Sequence, residues 1–567
     1  MKKFALLALI LLVGWSCQKD QEQLTPVDPV PEAVVDTEEQ IPIEKIFYHK
    51  ATGQYIYQKG DPYSFENMKR MYENMQTKRQ KQFGTCAGAV GNIELTPTHY
   101  SLKIYPRNES EQWRVERMQD VVVAYLPFDY APLPEKDAEV MALTRSLVES
   151  FEEEVRYTVT YDDLESVEGP QPSVTLQMPV LYVTWPTSKP LPLDLDYEIV
   201  DQLLLPTTWD DRIPVPGFEI DSIEQFPVPD PITVRGRILD WDETLQEYAP
   251  VPGLKVRAGS GSSQQICYTD VDGVFTLSIN YLTFPTVEFY YEFCSDKWKV
   301  VRGQNTYPCT SSVKQIGDYW ERTTTETVDF YNDFDLPDYE ITRAMYYFYN
   351  GNHSIRQWTN ENGIRIVTNK YSNSSILGSF TYSTDGSPAF ITIYHELKIG
   401  ERMDINLPDF ADSDILGTIL HETGHFCHYK EAGVSGINNT HLLLTESFAS
   451  YVGWYLTSKQ YRDCFNYALP VTAIRQSRQA WTKDLPSVYS PLFVDLFDSY
   501  NQGGATNSAK PNETITSFSH VTIRNIIATC RNWTACRSYL ANHVGTYYTQ
   551  EEFDGYVSNY DYWFTNN

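Results

Sequence analysis

The residues best placed to do chemistry are His421, Glu422 and His425, the fixed positions of an HExxH pattern spelled His-Glu-Thr-Gly-His. Two histidines four apart lie about one helical turn from each other, so both neutral imidazoles can reach a single metal ion from one helix face. Glu422 falls on the neighbouring flank. There it is out of position as a ligand, but it can take a proton from an attacking water and hand it to a leaving amine. The chemistry this predicts is hydrolysis assisted by Zn²⁺.

Such a pair needs a rigid, buried helix. The residues before it, Asp414 to Leu420, carry Ile415, Ile419 and Leu420 at helical spacing, with Asp412 or Ser413 available as the cap. Catalytic zinc usually takes three protein ligands and keeps a fourth position open, so a third ligand is required. The expected one is Glu446. It lies in Leu442 to Leu456, a second apolar run whose Leu443, Glu446, Ala449, Tyr451 and Val452 would face the first helix. Between them, Gly433 to Thr440 is rich in turn formers and would reverse the chain.

His421, Glu422, His425 and Glu446 together make the sequence resemble the gluzincin metallopeptidases, in which a glutamate from a second helix completes an HExxH site. The resemblance covers roughly the last two fifths of the chain. It implies a two-lobed zincin-like fold, a twisted sheet above the cleft, and attack of water on a peptide carbonyl. Many gluzincins continue as ExxxD, the aspartate orienting a zinc histidine; here Ser450 stands at that place, and support is expected from elsewhere. A rival third ligand is Glu431, at the last-ligand position of the metzincin pattern. That pattern requires a glycine where this chain has His428, which favours Glu446. His428 itself reads as a helix-surface or supporting histidine.

Upstream, Asn362 to Thr368 and Ala389 to Tyr394 alternate and are rich in β-branched residues, as strands of such a sheet should be. The second resembles the edge strand on which zincins lay an extended peptide, with an ordinary core strand as the alternative. Downstream, His520 or Tyr489 could donate to the oxyanion that develops on the scissile carbonyl.

The other end of the chain bears on location. Residues 1–16, with a basic start and a short apolar run, read as a signal peptide. Gly14-Trp-Ser-Cys17 resembles a bacterial lipobox, which implies that Cys17 is lipidated and that the acyl chains anchor the protein without spanning the bilayer. The charged residues after it resemble a tag for the outer face of the outer membrane. Residues 17–42 read as a flexible tether. No later stretch offers the apolar length a membrane span needs.

Composition fits an exported multi-domain protein of 567 residues. The formal net charge of −30 opposes binding to nucleic acid and to anionic lipid. This leaves the N-terminal lipid as the membrane contact and a polypeptide as the expected substrate. Nine cysteines include Cys17; the even remainder suits disulfides, and Cys294 with Cys309 and Cys530 with Cys536 are near enough in sequence to pair. Cys427 reads as helix packing.

Two further regions precede the zincin-like part, 334–567. Residues 229–333 alternate as short strands, and Thr-Asp-Val-Asp-Gly-Val-Phe resembles the turn signature of carboxypeptidase-regulatory-like β-sandwich domains, in which Asp270 and Asp272 read as a turn ahead of Gly273 rather than a calcium site. Residues 43–228 read as an α+β domain with one helix around Ala138 to Glu153. The fold class expected is therefore multi-domain: α+β, then β-sandwich, then zincin-like α+β. Against the peptidase stand two alternatives, a catalytically degenerate surface lipoprotein that binds host or glycan ligands and a hydrolase acting on something other than a polypeptide, since HExxH fixes the metal but not the acyl group.

Overall fold

The alternation along Ile232–Asp242 turns Val234 and Ile238 to one side of the strand, where both are buried. In the computed structural model this strand pairs antiparallel with Glu247–Pro250 and Val274–Ile279 and parallel with Val328–Asn332. The structure describes residues 41–566 apart from internal stretches, of which 84–94, 134–148, 206–231, 317–327, 395–411, 470–488 and 500–513 are the longest. The expected signal peptide, Cys17 and nearly all of the tether lie outside the described residues.

A second four-stranded sheet runs in the order Ser263–Tyr268, Lys255–Ser260, Val287–Glu292, Thr310–Ile316. Phe289 of this sheet meets Phe275 and Phe330 of the first at ring-centroid distances of 5.5 and 6.0 Å, so the two sheets share an apolar core. Gly236 is required under those rings, since a Cβ there would come within 2.5 Å of both Phe275 and Phe330. The Asp-rich segment is a turn: the Asp270 carboxylate accepts from the backbone N–H of Asp272 at 3.0 Å and Val274 at 2.8 Å, and Gly273 takes φ 72°.

A six-stranded sheet then draws on distant parts of the sequence, in the order Trp298–Arg302, Ile364–Asn369, Phe390–Tyr394, Gly378–Ser383, Leu164–Ser166, Gly169–Gln171. The first three strands are mutually parallel and the rest antiparallel. Phe390–Tyr394 is interior, bonded on both sides, so the edge strand expected there is corrected to a core strand. Residues on both sides of position 333 share this sheet, and one continuous apolar cluster extends from Val234 to Tyr560.

The molecule is thus mixed α/β with several sheets. Near its start, Asp196–Leu203, His99–Tyr105, Leu181–Pro186 and Val122–Ala124 form a sheet over Leu102, Ile104 and Val183. The helix expected around Ala138 to Glu153 is corrected in its described end. Glu149–Phe151 is a strand, paired parallel with Ile46–His49. Helices form instead at Phe65–Phe83 and Glu109–Glu116, the latter capped by Asn108, whose side chain accepts from the Glu111 N–H at 2.9 Å.

Two long helices carry the expected site. Asp412–Asn439 contains the HExxH motif and is interrupted at Gly433, whose φ of 71° and ψ of 172° leave helical space. The reversal expected over Gly433 to Thr440 is therefore shorter than supposed: helix resumes after the glycine, and the chain turns at Thr440 and His441. Leu442–Phe465 follows, capped by the His441 side chain and closed by Asn466 in the left-handed region. It is apolar around nearly its whole circumference and is buried accordingly. Above the motif helix, Phe380 and Tyr382 of the six-stranded sheet pack on Phe426 and Tyr429. Among the described residues no helix is long and apolar enough to cross a membrane.

Candidate metal centre

The motif helix and the helix after it approach closely at Gly424, where the first has no side chain. A Cβ on Gly424 would lie 2.7 Å from the Ala449 Cα and 3.1 Å from the Val452 Cβ. This close approach sets Glu446, one turn before Ala449, opposite the two histidines. His421 Nε2 stands 3.1 Å from Glu446 Oε2 and 3.2 Å from His425 Nε2, and His425 Nε2 stands 3.4 Å from Glu446 Oε1. All three residues are buried.

These separations fit a small divalent cation. Tetrahedral bonds of about 2.0–2.2 Å to nitrogen and oxygen place neighbouring donor atoms about 3.3–3.6 Å apart, a little beyond the spacings here. Two neutral imidazoles and a carboxylate are borderline ligands with one negative charge, a set that suits zinc and other first-row divalent metals alike. Glu446 is ready for the part: burial pushes its carboxyl pKa up, but His425 and His421 outweigh that and hold it well below the usual carboxylate range. Among the described residues no other group of three or more histidines, cysteines and acids clusters in this way.

Support for the first histidine comes from a residue the sequence reading set aside. Ser450 Oγ lies 3.3 Å from His421 Nδ1. With a metal on Nε2 the Nδ1–H would donate to that hydroxyl oxygen, so a serine at the aspartate position is in reach of the histidine that was expected to find its support elsewhere.

Glu422 is buried one residue beyond His421, about 100° round the helix from it. It is not one of the three clustered residues. Tyr489 stands at the site's rim, its ring centroid 6.0 Å from that of His421. The segment is pinned by Ser490, whose N–H donates to Ser447 Oγ at 3.0 Å, the two hydroxyls lying 2.8 Å apart.

Three other candidates are placed elsewhere. Glu431 faces Arg524 at 3.4 Å and Arg356 at 3.8 Å, so the rival third ligand is an ion-pair partner. His520 is hydrogen-bonded to the Tyr451 hydroxyl, and burial pushes its pKa down to about 4. It lines a small pocket, with room for about one water molecule (about 20 Å³), together with Glu431, Arg356 and Arg524, and the walls include none of the three clustered residues. His428 is not on a helix surface: it is fully buried beside the Phe448 ring, neither ring nitrogen has a hydrogen-bond partner, and burial, with His425 and Arg531, lowers its pKa to about 3. It is a neutral core residue.

The described cysteines are unbridged. Phe293 N–H donates to the Cys309 carbonyl at 3.0 Å, so strand alternation turns Cys294 to the face opposite Cys309. Cys294 lies instead by the Glu292 carboxylate, and Cys427 is buried helix packing as expected. No family model, characterised protein or solved structure matches this chain.

Proposed function

We propose that the chain is a zinc-dependent peptidase of gluzincin type, held to a bacterial cell envelope by a lipid on Cys17 and acting on extracellular polypeptides. The observation that carries this reading is the convergence of His421 Nε2, His425 Nε2 and the Glu446 carboxylate: the two nitrogens are 3.2 Å apart and each lies 3.1 or 3.4 Å from one of the two carboxylate oxygens, from residues as far as 25 apart in sequence. Bound there, zinc would supply Lewis acidity, polarising a substrate carbonyl and making a water molecule more acidic.

The protein's own groups do the rest. Glu422, on the flank of the ligand face, removes a proton from the attacking water and returns it to the amine that leaves. Tyr489, at the rim, is the donor nearest a developing oxyanion and is preferred to His520, which is engaged with Tyr451. Ser450 fixes the His421 tautomer. The two packed four-stranded sheets that share Phe275, Phe289 and Phe330 support reading this region as a carboxypeptidase-regulatory-like sandwich, a non-catalytic module. Glu422→Gln tests the assignment: the variant keeps its metal and loses hydrolysis of a mixed peptide library. Cleavage that persists in the variant removes Glu422 from the mechanism.

A further inference from the structure

The outer face of the Ile232–Asp242 strand alternates Arg237, Leu239 and Trp241, and its neighbours place Asp329, Tyr331 and Tyr248 beside them in register. Leu239 is buried and the three rings are not. Trp241, Tyr248 and Tyr331 are exposed at 38%, 37% and 46%. Tyr248 packs edge-to-face with both of the others, at centroid distances of 5.2 and 4.7 Å and interplanar angles of 76° and 67°, so the rings form a row without stacking on one another. At the end of the row, Arg237 Nε and Nη2 donate to Asp329 Oδ1 and Oδ2 at 2.8 and 2.6 Å, and the Tyr331 hydroxyl donates to Asp329 at 3.4 Å.

We propose that this aromatic row is a binding site for a neutral oligosaccharide chain. Sugar rings present flat C–H faces that pack on exposed aromatic rings, and a row of three such rings offers contact along a chain rather than at a single residue. The charges in the patch cancel within the Arg237–Asp329 fork, which holds its donors and acceptors in fixed positions for hydroxyl groups. An uncharged, hydroxyl-rich ligand matches this, whereas a polyanion would meet a protein of net charge −30.

Size argues the same way. Aromatic side chains offer about 150–250 Å² each, so rings at these exposures present on the order of 250 Å². A stable protein interface needs about 800 Å² from each partner. Strand-borne rings are also rigid, so little ordering cost attends binding.

The site is independent of the metal centre, and its test reads binding rather than hydrolysis. Purified full chain is run by affinity electrophoresis and calorimetry against hydroxyethyl cellulose, galactomannan and soluble starch, with chondroitin sulfate as the polyanion. At least one neutral glycan binds and the polyanion does not. Trp241→Ala and Tyr331→Ala each weaken that binding tenfold or more while the melting temperature stays that of wild type; Tyr331→Phe stays within twofold. Absence of binding to every neutral glycan, or wild-type affinity in both alanine variants, overturns the proposal. So does sedimentation showing a dimer that Trp241→Ala dissociates, which reassigns the patch to a second copy of the chain.

Discussion

Gly424→Ala is the sharpest small perturbation of this architecture. The added methyl carbon would sit 2.7 Å from the Ala449 Cα, and carbon atoms rest at about 3.5–4.0 Å, so the two helices must separate by on the order of 0.8 Å there. Overpacking of this kind costs about 1–3 kcal/mol, offset by about 1 kcal/mol from replacing a helical glycine with alanine. The net is a destabilisation of about 1 kcal/mol, the middle of a range of about 0–2 kcal/mol. The effect on metal is larger in proportion, because ligand distances tolerate only about ±0.2 Å and Glu446 rides on the displaced helix. Zinc affinity should fall at least tenfold.

The assays are urea unfolding of the metal-free protein and competition titration against a chromophoric chelator. Gly433→Ala is the control. Its φ of 71° with ψ of 172° lies in a region essentially reserved for glycine, so alanine is strained there by about 1–3 kcal/mol, but nothing lies within 4 Å of the new Cβ, so no packing contact between the helices is pushed apart. It should lower stability and leave zinc affinity within about twofold. Wild-type stability and affinity in Gly424→Ala, or an equal loss of affinity in Gly433→Ala, would refute the claim that helix contact at Gly424 positions the third ligand.

Two further outcomes follow from particular contacts. Ser450→Ala removes the acceptor for His421 Nδ1–H, and zinc affinity measured by the same titration should drop about tenfold with secondary structure unchanged; an unaltered affinity would show that the serine contributes nothing. Asp61 is raised to about 6 from an ordinary 3.8, chiefly by burial. Between those values the native state holds a proton that the unfolded chain lacks, so this group's contribution is complete below pH 3.8 and is lost as pH rises through 6. Asp61→Asn should remove a fall of on the order of 2–3 kcal/mol between about pH 4 and 7, read as the difference between wild-type and variant urea curves; parallel curves would contradict it.

The two site helices were legible because their signals are local. Period, caps and a fixed histidine spacing sit within a few dozen residues, and a carboxylate inside an apolar run stands out as needing a partner. What the sequence concealed is set by long-range pairing. Phe390–Tyr394 reads the same whether it lies at an edge or in the middle, and its neighbour Gly378–Ser383 pairs on its other side with Leu164–Ser166, more than two hundred residues earlier. Glu431 looked like a ligand because Arg356 and Arg524 are remote in the chain. Ser450 was passed over because its pattern position usually holds a carboxylate, although a hydroxyl accepts the same hydrogen bond. The Asn108-Glu-Ser-Glu111 cap was readable and marks the helix at Glu109–Glu116 that the reading missed.

The central claim is that His421, His425 and Glu446 grip one metal ion. Elemental analysis of the purified full chain after zinc loading and removal of loosely bound metal tests it directly. Wild type should retain about one zinc per chain, and Glu446→Ala should retain little while still folding. Wild type that keeps no metal, or a Glu446→Ala variant that holds zinc as tightly as wild type, would contradict the account.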